Sequence, residues 1–505
     1  MVLLLSWNID WTIFAILFAT CLYIYLTWNF NHWKKREIPY TEPTLFFGSL
    51  KNIILGRKSL GEIYTDFYRN SEGHPFGGFF KFRQPSIVLR DPELIKSVIV
   101  KDFIHFQYND FQVAIHADPL FGKNPFCLKG EAWKVTRNQL TPGFTTGRIK
   151  AIYPHMREVC EELIEYMDQQ VRPGGVNVHA LIEKFSINAV TSCAYGLRGE
   201  AFNDPNAEFY KIGKSFMQPN FKKWLAHMCI ILAPWLASFF KIGMTPIDVR
   251  QFFLRILKDT SSYRLMNNIK ENDYLQLLIQ LKEKYSEANK NTNEIWFNTL
   301  TFFTDGYETS ANALIYTLYQ LALNPHVQEK LRDEITAGLE HTEGEITYEA
   351  IQELKYLQMV CEESLRKYPP ITYMNRICTK PYDLPTVSGG TYIVEVGMSV
   401  VIPTLALHHD PQYYPDPDSF NPDRFSEDNI QTRPKYVYFP FGGGPRICLG
   451  MRFGEALMKC GLVAILSSYD VMKMEKTPKA LTHDPKAFFF APNEEIWLDF
   501  KKRTS

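Results

Sequence analysis

Ten residues near the C-terminus, Phe441 to Gly450, read FGGGPRICLG and place one cysteine, Cys448, where a buried thiolate can be held. Downstream, Phe453, Leu457, Leu462 and Ile465 recur at helical spacing, so Cys448 lies at or just before a helix N-terminus. Unpaired amide N–H groups and the positive end of the helix dipole favour an anionic sulfur there, and are expected to lower its pKa from the free value of about 8.5. Upstream, Gly442, Gly443 and Gly444 remove three successive side chains, which frees the backbone for unusual dihedrals and for close approach to a large flat ligand. Phe441 can then lay its ring against a macrocycle beside the sulfur, and Arg446 can pair with a carboxylate on the rim. This is the chemistry of a metal ligand.

A second constellation is TDGYETS, Thr304 to Ser310. Glu308 and Thr309 pair an acid with an alcohol, which suits proton delivery through a held water; Gly306 can bend a helix or admit a ligand. Asp305 stands four residues before Thr309 and shares its helical face. A carboxylate in an apolar pocket must be neutral, paired or used, because an unpaired buried charge is costly. It can turn aside to a local donor, or orient water or a basic substrate. In ESLR, Glu363 and Arg366 are spaced i, i+3 and can pair; in WKVTR, Trp133 and Arg137 are spaced i, i+4 and can reach one anionic group.

The elements that position these residues are mostly helical: Asp91 to Val100, Gly130 to Leu140, Ile149 to Gln170, Asn293 to Leu323, Val327 to Leu339 and Leu354 to Lys367. The thirty-residue pattern from Asn293 to Leu323 is long enough to cross a whole domain. Short strands are expected near Phe79 to Leu89 and Tyr392 to Pro403, where β-branched residues cluster between glycines. The fold class is therefore mainly α with small β-sheets. A chain of 505 residues, 46% hydrophobic and 14% aromatic, can bury a large core. No linker or repeat divides it after about residue 40, so one large domain is expected. The 55 basic and 55 acidic residues balance, which speaks against nucleic acid as a partner. Nine cysteines without a C-x-x-C pair read as a reducing compartment, and speak against zinc.

Trp11 to Phe30 carries no formal charge and is long enough to span a bilayer, with Lys34, Lys35 and Arg36 after it. The positive-inside rule then leaves the rest of the chain cytosolic, with Trp7, Trp11, Trp28 and Trp33 at the interfaces. Residues 1–33 are read as an N-terminal membrane anchor and 34–505 as the catalytic domain; a cleaved signal peptide is the alternative, for which the run is long. Pro39 and Pro43 can set a turn after the anchor. A second apolar run, Cys229 to Phe240, is either a core helix or a surface that dips into the bilayer.

FGGGPRICLG resembles the Phe-x-x-Gly-x-Arg-x-Cys-x-Gly signature of the cytochrome P450 haem-thiolate fold, at every fixed position. The resemblance extends from about Lys34 to the C-terminus, and DGYETS, LTPGFTTGRIK and HHDPQYYPDPDSFNPDRF look most like microsomal insect members. It implies haem b with Cys448 as axial ligand, a ligation that favours O–O cleavage; the family is the standing example of that effect. It carries over Glu308 and Thr309 as the distal relay, and Glu363, Arg366 and Arg424 as a buried structural triad. Trp133, Arg137, Arg376 and Arg446 carry over as partners of the haem propionates, with Pro381 where an Asp often follows the Arg376 segment. The family usually has Ala or Gly at position 305. Fatty-acid-hydroxylating relatives that carry Glu there esterify it to a haem methyl, a third use open to the shorter Asp305.

The activity that the resemblance implies is that of a monooxygenase on the cytosolic face of the endoplasmic reticulum, acting on hydrophobic xenobiotics or on endogenous lipids, steroids or hormones. Electrons would come from NADPH through a separate flavoprotein reductase, with a cytochrome b-type protein as a second donor. No Gly-rich dinucleotide motif appears in the chain itself. Lys134, Arg452 and Lys459 can form a basic docking patch, or simply a solvated surface. A haem-thiolate isomerase or dehydratase and a non-catalytic haem or lipophile-binding protein are the alternatives. Asp110, His116 and Asp118 fall in the stretch Phe106 to Phe126, used by the family as a substrate loop, and take no individual role. The adjacent His408 and His409 are not read as metal ligands.

Overall fold

The runs of β-branched and aromatic residues pair into a four-stranded sheet in the order Phe76–Lys81, Gln84–Leu89, Ser399–Ile402, Met374–Ile377. The first two strands form a tight antiparallel hairpin, the middle pair is parallel with Ile87 opposite Val400, and the last pair is antiparallel with Arg376 opposite Val400. The structure, a computed structural model, describes residues 2–217, 220–287 and 297–503, with side chains from residue 11 onward and outside 217–219 and 284–300. The expected strand from Tyr392 to Pro403 divides: Thr391–Val394 leaves to pair with Tyr382–Pro385, and Ser399–Ile402 joins the larger sheet. A third sheet joins Val176–Asn177, Trp497–Lys502 and Tyr469–Lys473.

Helices occupy the expected windows. Gly130–Leu140, Thr146–Gln170, Pro325–Glu340 and Lys355–Lys367 form where apolar periodicity places them. The long helix is Phe297–Leu323; Asn293 to Trp296, where the pattern begins, lie outside the described residues. The window from Asp91 to Val100 becomes the helix Pro92–Lys96, capped by the Asp91 carboxylate accepting from Leu94 N–H, followed by a wider turn over Ser97–Lys101. One core lies among the helices Thr146–Gln170, Val178–Tyr195, Phe297–Leu323 and Met451–Ser468, and a second backs the four-stranded sheet. The long helix is fixed in that core by the Ser186 hydroxyl, which donates to Tyr307 O at 2.7 Å, and by Thr317, which donates to Ser364 Oγ at 2.7 Å.

The N-terminal expectation needs correction. Val2–Thr27 is one helix of 26 residues, yet among the described residues no helix is long and apolar enough to cross a membrane. The helix stops at Thr27, short of Phe30, and residues 28–33 turn onto the sheet. Trp33, expected at an interface, is fully buried: its indole N–H donates to Phe79 O at 3.1 Å, and a Cβ on Gly78 would meet its ring at 2.3 Å. Phe30 likewise packs on Phe80 with ring centroids 5.4 Å apart. The globular body thus recruits residues expected to belong to the anchor.

Candidate active site

Cys448 sits three residues ahead of the helix Met451–Ser468, in a loop closed by its own N–H donating to Phe441 O at 2.9 Å. The glycines make that loop possible. Gly442 and Gly444 adopt φ +76° and +65°, and a Cβ on Gly444 would fall 1.8 Å from Ile99 O. The thiol is surrounded by protein on most sides but keeps one exposed face. Burial pushes its pKa up to about 11, against the Gly450 amide and Arg137, which pull it down. The expected lowering by the helix terminus is therefore present but outweighed by loss of water. A cation on the sulfur reverses the order, because a coordinating thiol is deprotonated outright.

Arg446, Arg376 and Arg137 converge on the same region, and the mutual repulsion of their charges adds to burial in lowering Arg446 to about 9. Arg446 lies over the Trp133 ring at 4.4 Å and donates to Gln107 O, Pro125 O and Leu128 O at 2.7, 3.2 and 2.9 Å. It thereby ties the substrate-loop segment to the cysteine loop, a role its sequence position did not reveal. Arg376, on the edge strand Met374–Ile377, donates to Asn109 Oδ1 at 2.6 Å, while its buried Nε has no partner. Cations repelling one another beside an orphaned donor form a receptor for a dianion. With a single sulfur facing open space, these residues fit a haem and its two propionates.

Behind the cysteine loop, among the described residues, a buried carboxylate is met by two arginines. Glu363 and Arg366, both fully buried, pair through two bonds of 2.7 and 2.9 Å. Arg424 approaches Glu363 at 3.5 Å, and Asn421 N–H donates to it at 2.9 Å. Arg366 also donates to His408 O at 2.8 Å and Pro417 O at 2.9 Å. His408 completes the frame: its Nε2 accepts from Phe439 N–H at 3.2 Å and its Nδ1 faces Arg366 O at 3.2 Å. Burial and the nearby Arg366 hold His408 well below the usual imidazole range. It is a neutral bridge from the Lys355–Lys367 helix to the segment entering FGGG, and only the doublet His408-His409 hinted at it.

On the long helix the residues of TDGYETS part company. Asp305 turns towards the cysteine side, where the Asn124 amide donates to its Oδ2 at 3.1 Å and the Thr304 hydroxyl to its Oδ1 at 3.1 Å. Its carboxylate perturbs Cys448, and both side chains expose surface although protein surrounds them. An interior space thus lies between helix and cysteine loop. Burial raises Asp305 to about 6. Thr309 Oγ1 donates to Asp305 O at 2.7 Å. Glu308 points elsewhere, towards Glu183 and Lys223; burial and the Glu183 charge raise it to about 8. The helix runs on through Gly306, where a Cβ would make ordinary contacts at 3.7 and 3.8 Å.

Two surface expectations change. Lys459 is only 2% exposed and reaches Gln352, so it drops out of the basic patch, leaving exposed Arg452 and a Lys134 paired with Glu131 at 2.7 Å. The run from Cys229 to Phe240 divides at Pro234: Ile230, Ile231 and Leu232 are buried, while Trp235, Phe239 and Phe240 are 73%, 76% and 63% exposed. In the substrate loop, Asp118 proves structural. It caps Pro119–Gly122 through Phe121 N–H at 3.0 Å and accepts from Met244 and Thr245 N–H at 3.1 and 2.7 Å. Asp110 pairs with Lys81 at 3.1 Å, and His116 Nε2 lies 3.0 Å from Ser238 O.

Residues 38–498 match the family model for cytochrome P450. Among curated proteins, the chain is 34% identical over 503 residues to cytochrome P450 6k1 of Blattella germanica, covering 96% of this chain and 95% of the relative. Cytochrome P450 9e2 of the same species is 34% identical over 526 residues, covering 98% of each. Cytochrome P450 6a8 of Drosophila melanogaster is 33% identical over 498 residues, covering 96% and 97%.

Proposed function

The chain belongs to the cytochrome P450 family and is a haem-thiolate monooxygenase, and from that premise we propose that it oxygenates hydrophobic small molecules at the cytosolic face of the endoplasmic reticulum, with electrons from NADPH passed on by a separate flavoprotein reductase. The observation that carries the reading is Cys448, held on a glycine-bent loop with an exposed face and within electrostatic reach of Asp305 on the long helix. The bound haem supplies dioxygen activation. Cys448 would hold it through its thiolate, Phe441 flanks the loop, and Trp133, Arg137, Arg376 and Arg446 would receive the propionates.

The residues of the long helix handle protons and water. Glu308 keeps its proton at neutral pH, being raised to about 8, so it can donate and be recharged from the side of Glu183 and Lys223. The Thr309 hydroxyl, whose proton is engaged on Asp305 O, keeps lone pairs with which to accept from a water. Glu363, Arg366 and Arg424 act by holding the cysteine loop.

Membrane attachment is part of the proposal. It is supported by the helix Val2–Thr27 with Ile13, Phe14, Ile16, Leu17 and Phe18 exposed, and by the open rings of Trp235, Phe239 and Phe240. Arg452 and Lys134 suit an acidic electron donor, reductase or cytochrome b-type. Reconstitution with reductase tests the reading: substrate-dependent NADPH consumption coupled to product is expected. Conversion of peroxides without NADPH would replace it with an isomerase.

A further inference from the structure

Asp305 is a carboxylate without a structural reason to be charged. Asp118, on the neighbouring substrate loop, shows what such a reason looks like: it is fully buried, accepts three backbone N–H bonds and has Arg250 at 3.7 Å. Among the described residues Asp305 accepts only from two neutral side chains, Asn124 and Thr304, at 3.1 to 3.4 Å. Among the described residues no Lys, Arg or His forms an ion pair with it, and it keeps free surface towards the interior space. An uncompensated carboxylate at such a depth is costly unless a cation arrives.

The surroundings specify the rest of the visitor. Asn124 is only 2% exposed and is itself fixed, its Oδ1 accepting from Phe126 N–H at 2.7 Å, so it orients the carboxylate rather than shielding it. The same loop brings Phe111 and Phe126, ring centroids 5.3 Å apart, with Phe488 at 6.0 Å from Phe111. Aromatic faces on the loop that supplies Asn124 favour a cation with apolar substituents over a hydrated one.

We propose that Asp305, oriented by Asn124, is a specificity residue that selects hydrophobic substrates bearing one cationic nitrogen. The inference rests on the monooxygenase reading and narrows its substrate class.

The test uses the haem-loaded full chain and two probes that cannot coordinate iron: a phenylbutyl trimethylammonium ion and its neutral isostere with carbon in place of nitrogen. Equilibrium dialysis gives the ratio of their dissociation constants. Wild type is expected to favour the cation by at least about tenfold, the factor set by 1.4 kcal/mol. Asp305→Asn, which keeps size and hydrogen-bonding capacity, should abolish the preference, and Asn124→Ala should reduce it. The reduced carbon-monoxide spectrum is recorded on each sample. A thiolate band with no cation preference in wild type, or with the same preference in Asp305→Asn, overturns this inference alone. Loss of the thiolate band from wild type overturns the monooxygenase reading and this inference with it.

Discussion

The two walls of the haem space treat charge in opposite ways. On the cysteine side, Glu363 meets two arginines and an amide, and Arg366 is further tied to His408 O and Pro417 O. On the helix side, Asp305 and Glu308 are carboxylates surrounded by protein without a contacting cation among the described residues, both raised above the ordinary range. A buried carboxylate tied to cations and an amide holds geometry, whereas one met by neutral donors alone holds chemistry in reserve. The wall behind the sulfur is over-determined; the helix wall is not.

Removing one partner from the satisfied wall should have the largest effect. Glu363→Ala leaves Arg366 buried and unpaired and should cost about 3 to 5 kcal/mol in denaturant melts, with loss of haem on purification. Glu308→Gln attacks the other wall. It should lower coupled turnover by about a hundredfold or more while melting temperature and the thiolate band stay near wild type. The pH dependence has a definite sign. Glu308 binds its proton more tightly folded than unfolded, so its stabilising contribution is complete below the ordinary 4.5 and is lost as pH rises through about 8. Turnover that uses this proton should fall over the same upper limb, and the limb should vanish in Glu308→Gln.

Gly444→Ala sharpens the comparison on the cysteine side. A left-handed backbone costs a non-glycine residue about 1 to 3 kcal/mol, and the methyl would collide with Ile99 O. The thiolate band should shrink in favour of a thiol-ligated form, a change that no helix-side variant should produce. The smallest effect belongs to Ser186→Ala. It removes one bond to Tyr307 O and should cost about 1 kcal/mol, with turnover per haem unchanged.

The cysteine side was also the more legible in the sequence. FGGGPRICLG encodes local constraints, glycines for positive φ and a helix start after the ligand, and these act within ten residues. ESLR likewise fixes Glu363 and Arg366 on one helical turn, and the helix boundaries followed from apolar periodicity. What escaped depends on contacts distant in sequence. Asn124 meets Asp305 across 181 residues, and Arg446 reaches Gln107 O across 339, so no spacing could announce either. The thiol's pKa was misjudged for a related reason: the helix terminus is visible in the sequence, but burial by the rest of the chain is not. Trp33, expected at a membrane interface, and Lys459, expected in a surface patch, are buried by tertiary packing.

Cys448 is expected to be the thiolate ligand of the haem that this family binds. The most direct measurement is the reduced, carbon-monoxide difference spectrum of purified wild type and Cys448→Ala. A thiolate-type Soret band in wild type that is absent from haem-containing Cys448→Ala is the predicted result. Folded, haem-loaded wild type without that band, or a variant that keeps it, would contradict the account.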